Sequence, residues 1–356
     1  MALSAIEMAS LRTAIVAGLG ACSLSYYAAW RRISRGNKEI FKAGGIAEDG
    51  STFDVSDEDA SDDDVTVETR QIGPLSVRCA YPTSSSPRRK SPVVLVHGMW
   101  HSTWYFADLQ RRLAKQNFVS YSVDLNPKPL KKWKQFAGEL KSVLLALKAE
   151  NHESGPILLG HSQGGILVQT MLSDKALTKE IQLQGAILCG TIPLSPASVS
   201  LKLLREGKIQ PQQKDIVSEL GPRGNFVYWF FGTLIDAERI QKIFFLPTTT
   251  ETTLLPGGMN EYYQRCLAAP SDGWPTLEHF FAKTPDLSHL ENTPIFVVYA
   301  DDDIIYQHAA VHPIFEQYYP HMASHTSKGQ AHCFADPGWE ETFADPVINW
   351  ITNIAE

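Results

Sequence analysis

The chain has 356 residues, 44% hydrophobic and 20% charged, and a formal net charge of -7, a balance that suits one large domain with a substantial buried core. Nine acidic residues and no basic one fall between Glu48 and Asp64, so the rest of the chain carries a net +2. Such a near-neutral body lacks the concentrated basic face needed to displace counterions from phosphate, and no nucleic-acid partner is expected. Five cysteines without a CxxC spacing argue against a disulfide scaffold or a zinc site.

Residues 1–38 stand apart. From Thr13 to Trp30 no charge interrupts TAIVAGLGACSLSYYAAW, and Arg31, Arg32, Arg35 and Lys38 follow at once. The run sits at the lower edge of what spans a bilayer, and its basic flank would keep the downstream chain in the cytosol or an equivalent compartment. It reads as an N-terminal membrane anchor; the rivals are an organelle transit segment, chloroplast or mitochondrial, and a cleaved signal peptide. Residues 39–64 follow as an acidic, self-repelling linker with almost nothing to bury.

From Val65 the pattern changes. Val65–Gln71 and Leu75–Ala80 alternate around a Gly-Pro turn, as a hairpin does. VVLV at 93–96 is a buried strand, a helix is expected from Thr103 to Lys115, a strand from Phe118 to Val123, a helix from Lys132 to Ala149 and a strand from Ile157 to Leu159. A helix over Gln163–Leu172 and the strand GAILC at 185–189 come next. The strand IFVVY, a helix near 308–318, a strand around Met322–Thr326 and a helix after Pro337 close the chain. Strands alternating with helices predict a mostly parallel sheet clad on both faces. The interval of about 191–293 is too long for a connection and should hold an inserted helical cap. Its aromatic stretches FVYWFFG (226–232) and KIFFL (242–246) read as the core of that cap, with the lining of an apolar substrate tunnel as a second use.

The chemistry concentrates in GHSQGG, 160–165, between the strand PILL and the helix ILVQTML. A serine hydroxyl becomes a useful nucleophile when a tight strand-to-helix turn lifts it above the sheet edge within reach of a base. Gly160 and Gly164 allow the close chain approach such a turn needs. The following helix points its partially positive end toward any developing negative charge.

Together, VVLVHGMWHSTW, GHSQGG, VVYADDDII and GQAHCF resemble the α/β-hydrolase superfamily over residues 65–356. The resemblance implies an α/β-hydrolase fold: an eight-stranded, mainly parallel sheet flanked by helices. It also implies a triad with Ser162 as nucleophile, His332 as base and an aspartate of the 301–303 cluster as acid. His332 suits the part by position, in the last loop before the terminal helix. Members often carry Gly-x-x-Asp after the acid strand, which aligns with Ala300 and Asp303; alanine for glycine is a departure that keeps Asp301 as a rival. By the same resemblance the backbone N–H groups of Met99 and Gln163 form an oxyanion hole. HGMWHSTW also resembles the HGxxHxxW of plant methylesterases and hydroxynitrile lyases, which sets His101 and Trp104 near the pocket, although core packing for Trp104 and a helix cap for His101 explain both residues equally well.

The expected activity is hydrolysis of a carboxylic ester with an apolar portion, a small molecule or a lipid, through an acyl-enzyme and without metal or organic cofactor. The same triad would serve a thioesterase, peptidase, acyltransferase or hydroxynitrile-lyase-like reaction. A ligand receptor of this fold is the alternative outside enzymology. Serine at the nucleophile position excludes the aspartyl-ester route.

Overall fold

Eight strands alternate with helices along the chain from Val65 onward. The computed structural model describes residues 64–83, 88–125, 131–150, 152–194, 237–255, 257–268 and 284–355, all within the unit Asp57–Glu356. The expected anchor at 13–30, the acidic linker up to residue 63 and the stretch 226–232 lie outside the described residues.

The first two strands, β1 (Val65–Ile72) and β2 (Leu75–Pro82), form the expected antiparallel hairpin, with Ile72 opposite Leu75 across the turn. Gly73 has φ 58°, a left-handed turn conformation that glycine adopts without a Cβ clash. The other strands are β3 (Val93–Val96), β4 (Ser120–Val123), β5 (Ile157–His161), β6 (Gly185–Cys189), β7 (Ile295–Ala300) and β8 (Ala323–Ser327). They join one sheet in the order β1-β2-β4-β3-β5-β6-β7-β8. Pairing is antiparallel up to β4 and parallel from β4 to β8. The chain runs from β3 outward to β4, then returns to place β5 on the other side of β3. That reversal opens a crevice at the carboxyl ends of β3 and β5, where open α/β sheets bind ligands.

Helices cover both faces. Val94, Val96, Leu158, Leu188 and Val297 pack in one core with residues of α2 (Trp133–Lys148), α3 (Gln163–Ser173) and α7 (His308–Tyr318). Their neighbours Val93, Leu95, Ile157, Leu159, Ile187 and Val298 enter a second core with α1 (Ala107–Lys115) and α8 (Asp345–Ala355). Strands buried on both sides explain the continuous apolar runs of the sequence. In α2 the buried residues Trp133, Phe136, Leu140, Val143, Leu144 and Leu147 recur at helical spacing and fix the face it presents to the sheet.

Two local features escaped the sequence pattern. The stretch from Thr103 enters as a 3-10 turn, Thr103–Phe106, before α1 begins at Ala107. A short helix, α4 (Lys175–Glu180), follows α3 because the Asp174 side chain accepts the Leu177 N–H at 3.0 Å and starts a new helix. Between β6 and β7 the described residues include α5 (Ala237–Phe244) and α6 (Gly258–Ala268). KIFFL therefore closes α5, and Ile243, Phe244 and Phe245 are buried.

Candidate active site

Ser162 stands between the end of β5 and the start of α3 with φ 53° and ψ -121°, a backbone state that a side chain seldom adopts. The turn is held from outside: Ser162 N–H donates to Cys189 O at 2.9 Å, and the Thr191 hydroxyl donates to Ser162 O at 2.7 Å. Close approach accounts for the glycines. A Cβ on Gly164 would sit 2.1 Å from Val96 O, and one on Gly160 would sit 2.5 Å from Gly164 O. Gln163 opens α3, so its amide belongs to the positive end of that helix.

Across from the serine, His332 Nε2 lies 3.0 Å from Ser162 Oγ, and His332 Nδ1 lies 2.8 Å from Asp303 Oδ2. A carboxylate only accepts, so Nδ1–H donates to Asp303 and the bare Nε2 accepts from the serine hydroxyl. Asp303 is fully buried. Its Oδ1 accepts the N–H groups of Ile305 and Tyr306 at 2.7 and 2.9 Å. Burial opposes its charge, yet the His332 ring and the two amides outweigh that and hold the carboxyl below its ordinary value. Asp301 differs: it is exposed, and its Oδ1 accepts the Gln330 N–H at 3.2 Å, on the loop that carries His332.

That loop is tied down by groups distant in sequence. His161 Nε2–H donates to the His332 carbonyl at 2.9 Å. Burial, followed by the nearby His332 ring, pushes His161 down to about 3, so it stays neutral. The carboxylate of Asp336, fully buried, accepts from Ala331 N at 2.8 Å, Leu246 N at 2.8 Å and the Thr249 hydroxyl. Asp336 thus joins the segment after α5 to the loop that carries His332.

The loop after β3 crosses directly in front of the serine. A Cβ on Gly98 would lie 2.8 Å from Ser162 Cβ. His97 Nδ1–H donates to Gly98 O at 2.8 Å while its Nε2 accepts Leu125 N–H at 3.1 Å. Because a trans peptide is planar, fixing the Gly98 carbonyl fixes the opposed Met99 N–H as well. His101 is fully buried, with Nδ1 2.6 Å from Met99 O and Nε2 2.6 Å from Tyr262 Oη on α6. Trp104 is partly buried, with its ring 5.2 Å from that of His101 and 5.3 Å from that of Tyr262, and it carries the Arg265 guanidinium on one side. Phe244 packs against His332 and Trp100 at ring distances of 6.2 and 5.8 Å, and Tyr306 meets His332 at 5.6 Å.

The structure thus brings Ser162, His332 and Asp303 into one hydrogen-bonded line, with Gly98, Met99 and Gln163 adjoining it. His101 faces Met99 and Tyr262 and caps no helix end. Among the described residues no group of three or more His, Cys, Asp or Glu could hold a metal ion. Sequence reasoning missed Tyr262, Asp336 and the clamping role of His161. No motif flags the first two; the third follows only when the two loops are seen side by side.

A serine-bearing strand-to-helix turn beside the reversal of a mainly parallel eight-stranded sheet defines an α/β-hydrolase architecture. The sequence profile of the alpha/beta hydrolase family matches residues 93–343, and the chain belongs to that family. Solved structures agree on the fold. A putative lipase from Acinetobacter baumannii superposes with a TM-score of 0.54 at 12% identity, covering 82% of this chain and 92% of that one. A serine hydrolase from the polyaromatic hydrocarbon-degrading bacterium Cycloclasticus zankles gives 0.54 at 11% identity, over 82% and 99% of the two chains. The proline iminopeptidase of Mycobacterium smegmatis gives 0.53 at 14% identity, again over 82% and 99%. A search of curated protein sequences returned no match. Family membership supports hydrolysis as the class of reaction; neighbours that are named both lipase and peptidase leave the bond to the local chemistry.

Proposed function

We propose that this protein is a serine hydrolase that cleaves a carboxylic ester with an apolar portion. The observation that carries the reading is the line Asp303–His332–Ser162, at 2.8 and 3.0 Å, with the imidazole held in the tautomer that can accept the serine proton. Ser162 Oγ attacks the carbonyl carbon as its proton passes to His332 Nε2. The carbonyl oxygen becomes an oxyanion, and the amides of Met99 and Gln163 are the donors proposed to receive it. His332 then returns the proton to the departing alkoxide, which leaves as the alcohol. Water, deprotonated by the same nitrogen, releases the acid and restores the serine. Asp303 stays ionised throughout and stabilises the imidazolium.

The apolar preference is supported by the aromatic rings of Phe244 and Tyr306 that pack on His332, with Trp100 against Phe244. The test is fluorophosphonate labelling of the wild type and of Ser162→Ala, alongside p-nitrophenyl esters from acetate to palmitate. Labelling confined to the wild type, with turnover rising from acetate to longer chains, is expected. An unlabelled wild type would remove the activated nucleophile and leave a ligand-binding member of the fold. A labelled enzyme that cleaves peptides or thioesters but no oxygen ester would replace the substrate class.

Residues 13–30 support a membrane-anchored location with the catalytic domain on the cytosolic side, a reading that rests on the uncharged run and its basic flank. Retention of the full-length chain in the pellet after carbonate extraction is expected; release into the supernatant would end it.

A further inference from the structure

Three of the polar contacts around the serine belong to one residue that takes no part in the proton transfer. His101 lies between the loop after β3, helix α6 and the loop after His332: Nδ1 is 2.6 Å from Met99 O, Nε2 is 2.6 Å from Tyr262 Oη, and Cys333 Sγ is 3.7 Å from the same Nε2. The directions of these bonds follow from chemistry. A carbonyl only accepts, so Nδ1 carries the proton toward Met99. Burial keeps the ring neutral, well below the ordinary histidine value, so Nε2 is a bare acceptor and Tyr262 must donate to it.

The residue between Met99 and His101 explains why such a clamp is needed. Trp100 has φ 60°, a left-handed state that is strained for a bulky side chain. Its relaxation to negative φ would turn the Met99–Trp100 peptide and, through Met99, disturb the neighbouring plane that carries the Met99 N–H. His97 holds the Gly98–Met99 plane by the Gly98 carbonyl, and His101 holds the Met99–Trp100 plane by the Met99 carbonyl. Tyr262 fixes the orientation of His101 in turn. It is wholly buried and sits on α6, in the segment between β6 and β7 and 161 residues further along the chain.

We infer that Tyr262 is a positioning residue for the oxyanion site, acting through His101 on the Met99 carbonyl, so that seating of α6 against the loop after β3 sets the stabilisation of the tetrahedral intermediate. This rests on the proposed role of the Met99 amide. It makes the inserted segment part of the catalytic geometry as well as of the substrate's surroundings. Binding that moves α6 would therefore switch turnover without touching Ser162, His332 or Asp303.

The experiment uses the full chain with Tyr262→Phe, which keeps the ring and removes the donor, His101→Phe, and the double variant. Each is measured for p-nitrophenyl butyrate kinetics, affinity for a phenylboronic acid whose adduct places an oxygen in the oxyanion site, and thermal midpoint. A misaimed donor should be milder than a deleted one, which costs roughly 10²–10³ in kcat. Tyr262→Phe is thus expected to lower kcat and boronate affinity about tenfold each, with KM changed less than about twofold. His101→Phe should lose more, and the double variant should be no worse than His101→Phe, since both act on one contact. Additive losses, or kcat and boronate affinity that stay unchanged in Tyr262→Phe, overturn the relay while leaving the hydrolase reading intact. A rise in KM alone would make Tyr262 a substrate contact and also overturn it. A wild type that forms no adduct on Ser162 takes both readings down together, so the two failures are told apart by the wild-type control.

Discussion

The two halves of the site are built by different means. The serine side is contiguous in its own elements, since β5, Ser162, the first turn of α3 and the two glycines follow one another, and only its braces, Cys189, Thr191 and Val96, come from elsewhere. The His332 side is assembled from afar, since the loop around it takes its anchors from His161, Leu246, Thr249 and Asp301. A tight turn announces itself in the sequence because its strained residue and its glycines share one short stretch, even where the groups that brace it do not. A loop that must hold an imidazole within a few tenths of an ångström needs fixed partners, and those come from elements already locked in the core.

The contrast can be broken at several points, and the largest effect is expected at Asp303, the proposed acid. Asp303→Asn should lower kcat by about 10⁴, because the amide cannot hold the histidine in the required tautomer. Asp301→Asn, which alters only a loop contact to Gln330, should lose less than about tenfold. Ester turnover of the two variants separates them, and near-wild-type activity in Asp303→Asn would reassign the acid.

On the serine side, Gly164→Ala puts a Cβ against the Val96 carbonyl, a backbone atom that cannot swing away. A loss of about 3 kcal/mol in unfolding free energy is expected from urea titration. On the His332 side, Asp336→Asn turns one carboxylate oxygen into an amino group that must face either Ala331 N–H or the Leu246 and Thr249 donors. One buried donor loses its acceptor, for a destabilisation of about 1–3 kcal/mol by the same titration. Turnover should fall with it, because the mismatch lies next to His332. An unaltered urea midpoint would mean that the loop does not depend on Asp336.

The mildest lever is pH. An unfolded histidine titrates near 6.5, whereas folded His161 is pushed down to about 3. Between these values the unfolded chain binds a proton that the folded chain refuses. The stabilisation is therefore complete above pH 6.5 and is lost as pH falls toward 3, by up to about 1.4 kcal/mol per pH unit for this group. His101, held down in the same way, adds to the slope. Denaturation midpoints at pH 7, 6 and 5 should decline, and His161→Asn should flatten the trend.

Much of this was legible in the sequence. Periodicity and continuous apolar runs located all eight strands, and the central strands read clearly because residues such as Val93 and Val94 are buried on opposite faces. GHSQGG carried its own geometry. The order of Ser162, Asp303 and His332 along the chain, read through the family resemblance, pointed to three side chains that the fold brings together. The short helix Lys175–Glu180 was invisible because one capping aspartate, and no periodic face, creates it.

What the linear sequence determined, then, is whatever depends on neighbours: the strand and helix pattern, the serine turn, and the glycines that allow it. Tertiary structure alone decided which of two aspartates, two positions apart, meets the histidine, and that a tyrosine of the stretch between β6 and β7 reaches the loop facing the serine. Pairings across 161 or 170 positions leave no periodic trace, because they depend on where separate elements come to rest and on which polar groups are then buried together.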